Sequence, residues 1–295
     1  MHLRSITFLL CLAACDQTVA GGDPVGGSVD TDAEIQRYLR RAYLDLTGDT
    51  PAEADLTAST TRLREANNSA AARGELVGDL MDKQEFADVW TEELENSIFA
   101  GDTLESHYQL VCGLIRGTTQ ACLSCTDADA CACTCAPIAP FKLEREKLAT
   151  TPADFHGGMK TSVLEKRYAM QPGYFAIAGS PEARIAALFD DFLARTPEPD
   201  EIENGRALII GSIIPTSPAG VLFHRYGSSY AEMLDIVFQS EVYREALVRR
   251  VFDRYLARSP KPVELAHFSA TLDAMEPDAR TLVHAVTSSR EYFEQ

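Results

Sequence analysis

Along the C-terminal half of the chain, apolar residues recur at spacings of three and four. Val248, Val251, Phe252, Tyr255 and Leu256 fall on one face of a helix, and Leu282, Val283, Val286 and Phe293 repeat the pattern. Alternating runs of β-branched residues are nearly absent, so the pattern predicts an all-α body.

The helical pattern is written more than once. Leu188–Ile202 (LFDDFLARTPEPDEI) aligns without a gap on Val251–Leu265 (VFDRYLARSPKPVEL), with eight identities in fifteen positions. That density marks an internal repeat. A more distant copy, Ala42–Leu56, keeps the apolar positions, an acidic residue and the proline (Pro51, Pro197 and Pro260). The residue before a proline avoids the α region, so each copy predicts a helix that ends and a second helix that starts beyond the proline. Acidic residues after the proline (Glu198, Asp200, Glu201; Glu264) suit a helix N-terminus. A second shared element follows: Glu75–Phe86, Glu232–Tyr243 and Thr281–Tyr292 each hold paired apolar residues, a polar turn and a terminal aromatic. It reads as a last helix ending at the aromatic. Proline and aromatic lie 35, 46 and 32 residues apart, so the middle copy carries an insertion, placed by its Gly and Pro within Gly211–Ser228. Trp90 is expected to pack at the end of the first unit. Asp45, Asp190 or Asp191, and Asp253 recur near the turn, as do Arg195 and Arg258. Capping and Arg–Asp pairing that fix the turn account for them.

The N-terminus is of another kind. Arg4 precedes an apolar run, Ile6–Leu12, too short to span a bilayer, which takes ~20 apolar residues. Leu12-Ala13-Ala14-Cys15 follows and resembles the lipobox of bacterial lipoproteins. That resemblance implies cleavage after Ala14 and a lipid on Cys15, hence an anchored rather than a spanning protein. Residues 16–33, rich in Gly and poor in large apolar groups, read as a tether.

Arg40-Arg41-Ala42-Tyr43-Leu44-Asp45-Leu46-Thr47-Gly48, with Pro51 and Leu56 beyond, resembles a helical domain of unknown function found in exported bacterial proteins. The resemblance covers about Glu34 to Trp90. The later copies look like a related helical domain, also of unknown function, with a Leu-x-Arg-x-Pro signature and a closing Ser-x-Glu-Tyr/Phe. The closing elements here are Ser240-Glu241-Val242-Tyr243 and Ser289-Arg290-Glu291-Tyr292; in the first, the glutamate stands one place early. What the resemblance implies is a small helical module in an exported protein, with no catalytic residues to carry over.

Eight cysteines divide unevenly. Cys11 belongs to the signal and Cys15 to the lipobox. Cys112, Cys122, Cys125, Cys131, Cys133 and Cys135 cluster in a Thr/Ala/Asp/Gly-rich stretch that cannot build its own core. In an exported chain, an even number of cysteines reads as three disulfides, with fifteen possible connectivities. The alternative is a metal site on Cys122, Cys125, Cys131, Cys133 and Cys135, since Cys122-x2-Cys125 has zinc-like spacing.

Charge narrows the partners. With 27 basic against 44 acidic residues the net charge is −17, which repels nucleic acid and anionic lipid alike. Membrane association therefore falls to the lipid, and an envelope protein or polymer remains as partner. No G-x-S-x-G, H-E-x-x-H, P-loop or G-x-G-x-x-G occurs. Asp154-Phe155-His156-Gly157-Gly158 reads as a loop whose histidine could serve as acid or base, though a polar surface residue explains it as well.

The expected organisation is a signal peptide at 1–15, a tether at 16–33 and helical module 1 at 34–100. A cysteine-rich insertion and linker follow at 101–160, then module 2 at 161–244 and module 3 at 245–295. The expected function is a non-enzymatic binding or envelope-structural role needing no cofactor. The alternative is a redox or metal-binding protein, or a hydrolase, using the cysteines with His107 or His156. Replacing Cys15→Ala should shift the protein from the membrane to the soluble fraction of a cell extract; retention in the membrane would contradict the lipobox reading.

Overall fold

The computed structural model describes residues 30–99, 143, 146–171, 174, 179–211 and 218–295. Cys15, all the other cysteines and His107 lie outside them. The fold is mainly helical, as expected, with one departure: the insertion expected in the middle copy includes a two-stranded antiparallel hairpin. The described residues divide into two compact units: those within 1–89, 247–273 and 278–295 form unit 1, and those within 90–246 and 274–277 form unit 2.

Unit 1 opens with α1 (Asp32–Thr47). Thr31 caps it reciprocally with Glu34: the Glu34 N–H donates to Thr31 Oγ1 at 3.3 Å and the Thr31 N–H to Glu34 Oε2 at 2.7 Å. Ile35, Tyr38, Leu39, Ala42 and Leu46 form its buried stripe. α2 (Glu53–Glu65) and α3 (Ala70–Met81) pack on α1, and α4 (Gln84–Ile98) begins within the unit. Later helices of unit 1 complete this core. Tyr292 and Phe293 bring their rings to within 5.9 and 5.5 Å of Tyr38, whose hydroxyl donates to Thr287 O at 3.2 Å. His284 donates from Nε2 to Gly74 O at 2.9 Å, and burial holds its pKa below the ordinary value.

Unit 2 contains α5 (Thr151–His156), α6 (Thr161–Ala169), α7 (Pro181–Leu193) and α8 (Pro199–Ile210). Strands β1 (Gly220–Leu222) and β2 (Arg225–Gly227) follow, in the register Gly220↔Gly227, Val221↔Tyr226 and Leu222↔Arg225, then α9 (Tyr230–Phe238). Phe192, Phe238 and Tyr243 pack edge to face at 5.1 and 5.0 Å. The hairpin presses on α8 so closely that a Cβ on Gly220 would lie 2.6 Å from Asn204 O. Its two loop residues, Phe223 and His224, have φ of 49° and 62°. A tight two-residue hairpin requires that left-handed geometry, and a bulky side chain adopts it at a cost. Trp90 belongs to unit 2, stacked 6.1 Å from Phe155, rather than to the end of the first copy's unit.

The chain continues through α10 (Glu241–Leu256), within which the division between units falls, and then α11 (Pro262–Thr271), α12 (Ala279–Thr287) and α13 (Arg290–Glu294). The shared aromatics do not end helices, as expected from sequence; they sit in the first turn of the next one. Ser240 and Ser289 are the reason. Their Oγ atoms accept the N–H of Tyr243 at 3.0 Å and of Tyr292 at 3.2 Å, so each serine starts a new helix.

The proline turns share one geometry. α1, α7 and α10 end at Thr47, Leu193 and Leu256; α2, α8 and α11 begin at Glu53, Pro199 and Pro262, five residues intervening each time. The first residue of every turn is left-handed: Gly48 at φ 75°, Ala194 at 51° and Ala257 at 49°. An L-residue with a side chain occupies that region at a cost of about 1–2 kcal/mol, part of which glycine's backbone freedom offsets. Ala257→Gly should therefore raise stability by roughly 0.5–1 kcal/mol. Gly48→Ala should lower it by more than 1 kcal/mol, because the added Cβ also meets Val89 Cγ2 at 2.9 Å. Denaturant unfolding of the two variants measures both, and shifts of the same sign would contradict the argument.

Candidate functional site

The arginine-bearing turns hold the densest polar chemistry of the repeated elements. In the turn between α7 and α8, Arg195 reaches forward six residues to Glu201, Nη1 to Oε2 at 2.8 Å and Nη2 to Oε1 at 2.6 Å. Glu201 also accepts the Glu198 N–H at 2.8 Å, closing the start of α8. Burial raises the Glu201 pKa, but the Arg195 hydrogen bonds and the Glu198 N–H outweigh it and hold the carboxyl below its ordinary range.

The turn between α10 and α11 repeats this. Arg258 donates to Glu264 from Nη1 at 2.8 Å and Nη2 at 2.9 Å, and Glu264 accepts the Lys261 N–H at 2.7 Å. Glu264 is 1% exposed, so its charge depends on those donors. Arg258 carries a second carboxylate: Nε and Nη2 donate to Glu291 of α13 at 2.5 and 2.7 Å. One guanidinium thus holds two carboxylates, each bidentate. Arg195 lies 4.8 Å over Phe189 and Arg258 5.1 Å over Phe252, the aligned ring.

Turn chemistry predicts aspartates as the partners of these arginines. The observed partner is the glutamate at the third position of the following helix, because its carboxylate can reach back to the capping N–H and the guanidinium together. Aspartate is used elsewhere: Tyr292 donates to Asp45 at 2.7 Å, and Tyr174 to Asp191 at 2.6 Å. Arg41 lies 4.1 Å over the Tyr292 ring and donates to Tyr255 O at 2.6 Å. Burial, together with Asp45, pushes the Tyr292 hydroxyl well above its ordinary range, so it remains a donor.

A second polar cluster ties Asp30 to α13. Arg290 grips the Asp30 carboxylate with Nη1 at 2.7 Å and Nη2 at 2.9 Å, and Asn68 Nδ2 donates to it at 2.8 Å. The Arg290 hydrogen bonds hold the Asp30 pKa below its ordinary value. Beside it Arg73 is wholly buried, donating from Nε to Ser288 O at 2.8 Å and from Nη1 to Asn68 O.

His156 does not stand in a loop. It is the exposed last residue of α5; Asp154 in the same helix pairs with Arg167 at 2.6 Å, and Phe155 is buried. Among the described residues no group of three His, Cys, Asp or Glu side chains could hold a metal ion. Sequence reasoning missed Glu291, Asp30 and Arg73. For Glu291 the signal was available, as the glutamate of Ser289-Arg290-Glu291-Tyr292; for Asp30 and Arg73 no local pattern pointed to partners across the chain.

No family model, curated protein or solved structure matches the chain.

Glu264 is deprotonated more readily in the fold than its ordinary 4.5, so its contribution is present above that value and lost as pH falls through the lower folded value. Arg258→Ala leaves a buried carboxylate without its partner and should cost about 3–5 kcal/mol at neutral pH. Glu264→Gln should cost less, and should flatten the fall of melting temperature between neutral pH and pH 3. An Arg258→Ala loss under 1 kcal/mol, or an unchanged acid limb in Glu264→Gln, would show that the turn does not depend on this charge pair.

Proposed function

We propose that this chain is a lipid-anchored, exported protein whose helical body is a non-enzymatic binding or structural module of the bacterial cell envelope. Its body is read as three related helical modules, and the cysteine cluster at 112–135 as a disulfide-stapled insertion between the first and the second. The observation that carries the reading is the common geometry of the three proline turns, with helix ends, left-handed residue and helix starts in register. Repeated helical units stack and commonly present binding faces. The shared arginines support it as well: their carboxylate partners fix the turns from within, which is structural work.

Two measurements test the reading. Titration of native exported protein with a thiol reagent should find no free thiol, and elemental analysis no stoichiometric metal. A stoichiometric metal would favour redox or metal chemistry at the cysteines instead. Purified Cys15→Ala protein should rebind isolated envelope fragments saturably; binding that rises linearly with protein would overturn the module as an envelope-binding one.

A further inference from the structure

The two arginine turns differ in one respect. Arg258 uses its Nη1 and Nη2 edge for Glu264, and its Nε and Nη2 edge for Glu291. Arg195 makes the first bidentate pair, with Glu201, and adds a bond from Nη1 to Thr196 O at 3.2 Å, as Arg258 does to Ser259 O. Its Nε edge meets no acceptor among the described residues.

The reason lies in the closing element. Ser240 and Ser289 are equivalent helix caps, and Tyr243 and Tyr292 equivalent aromatics. The position between them that carries Glu291 in the last copy carries Val242 in the middle one. The middle copy therefore keeps the arginine and lacks the second carboxylate. The guanidinium plane is held all the same: Phe189 lies 4.8 Å and Phe223, at the strained tip of the hairpin insertion, 5.9 Å from its central carbon. The Arg195 side chain is 32% exposed. A fixed guanidinium whose Nε/Nη2 edge meets no acceptor among the described residues presents two donors that match the two oxygens of a carboxylate.

We propose that the Nε/Nη2 edge of Arg195 is a carboxylate-binding subsite that takes an acidic side chain of a partner, in the way Arg258 takes Glu291. It deepens the binding-module reading and rests on it. Glu198 stands where the last copy has Lys261, which lowers the local positive potential, so a lone carboxylate binds weakly and the rest of the partner must add to it.

The test uses the full chain and follows its arginine Nε–H signals by NMR at constant ionic strength, with Arg195→Lys to identify the resonance. Three probes are added in turn: N-acetyl-glutamate α-amide, its uncharged analogue N-acetyl-glutamine α-amide, and N-acetyl-alanine for a chain-end carboxylate. A saturable shift of the Arg195 signal with the glutamate probe, and none with the glutamine probe, is expected. Equal responses to those two, or no response, would overturn the subsite. A response to N-acetyl-alanine alone would move the ligand to a chain end and overturn the side-chain assignment.

Val242→Glu supplies the missing carboxylate from within. Compared with Val242→Gln, it should raise the melting temperature by about 2–4 °C and abolish the probe-induced shift. Identical behaviour of the two variants would count against the proposed equivalence with Glu291; should neither fold, the titration of the natural protein decides alone. A null titration alongside saturable envelope rebinding removes the subsite and leaves the binding module standing.

Discussion

Ending one helix and starting the next within five residues sets the constraint on which the repeated elements depend. The closing helix leaves carbonyls without partners, the opening one leaves amides, and the residue between must turn left-handed. Three devices meet these demands here. A small residue, Gly48, Ala194 or Ala257, takes the left-handed position. In two of the turns, a glutamate in the first turn of the next helix caps the backbone, and an arginine neutralises that glutamate. Because Glu264 is buried, the arginine is not an accessory: without it the cap would be a charge in an apolar place.

The first copy solves the problem with different residues. Asp49 and Asp55 stand where the later copies have arginine and glutamate, so no charge pair forms, and both are exposed. Glycine removes the cost of the left-handed residue instead. The copies therefore share a backbone path more faithfully than a set of contacts. The last copy goes furthest in the other direction, adding Glu291 so that one guanidinium joins a turn to α13.

Much of this was legible in the sequence because it is local. Helix periodicity, the proline turns and the alignment of the repeats depend on residues within a few turns of one another. The register of the three turns followed from fifteen aligned positions. What was not legible had a different physical origin. The aromatic of each closing element looked like a helix end, because apolar spacing does not reveal that the serine before it caps a new helix. The hairpin was hidden by short strands, three residues each, beneath any periodicity. Turn chemistry predicts Arg–Asp pairing, whereas the pair that forms is Arg–Glu: the glutamate at the third helical position meets both the guanidinium and the capping amide. Asp30, Asn68 and Arg290 come together from three distant stretches, and no pattern along the chain encodes such a meeting.

The Asp30 clamp also sets how the body bears load. A pull arriving along the N-terminal segment meets the bidentate grip of Arg290 at Asp30 before it reaches the capped start of α1. From Arg290 the strain passes into α13, whose Tyr292 and Phe293 are wedged against Tyr38. Traction at Asp30 is thus shared with α13, the last helix of the chain, rather than borne by the start of α1 alone. Asp30, α13 and α1 are thereby tied into one closed set of contacts within unit 1.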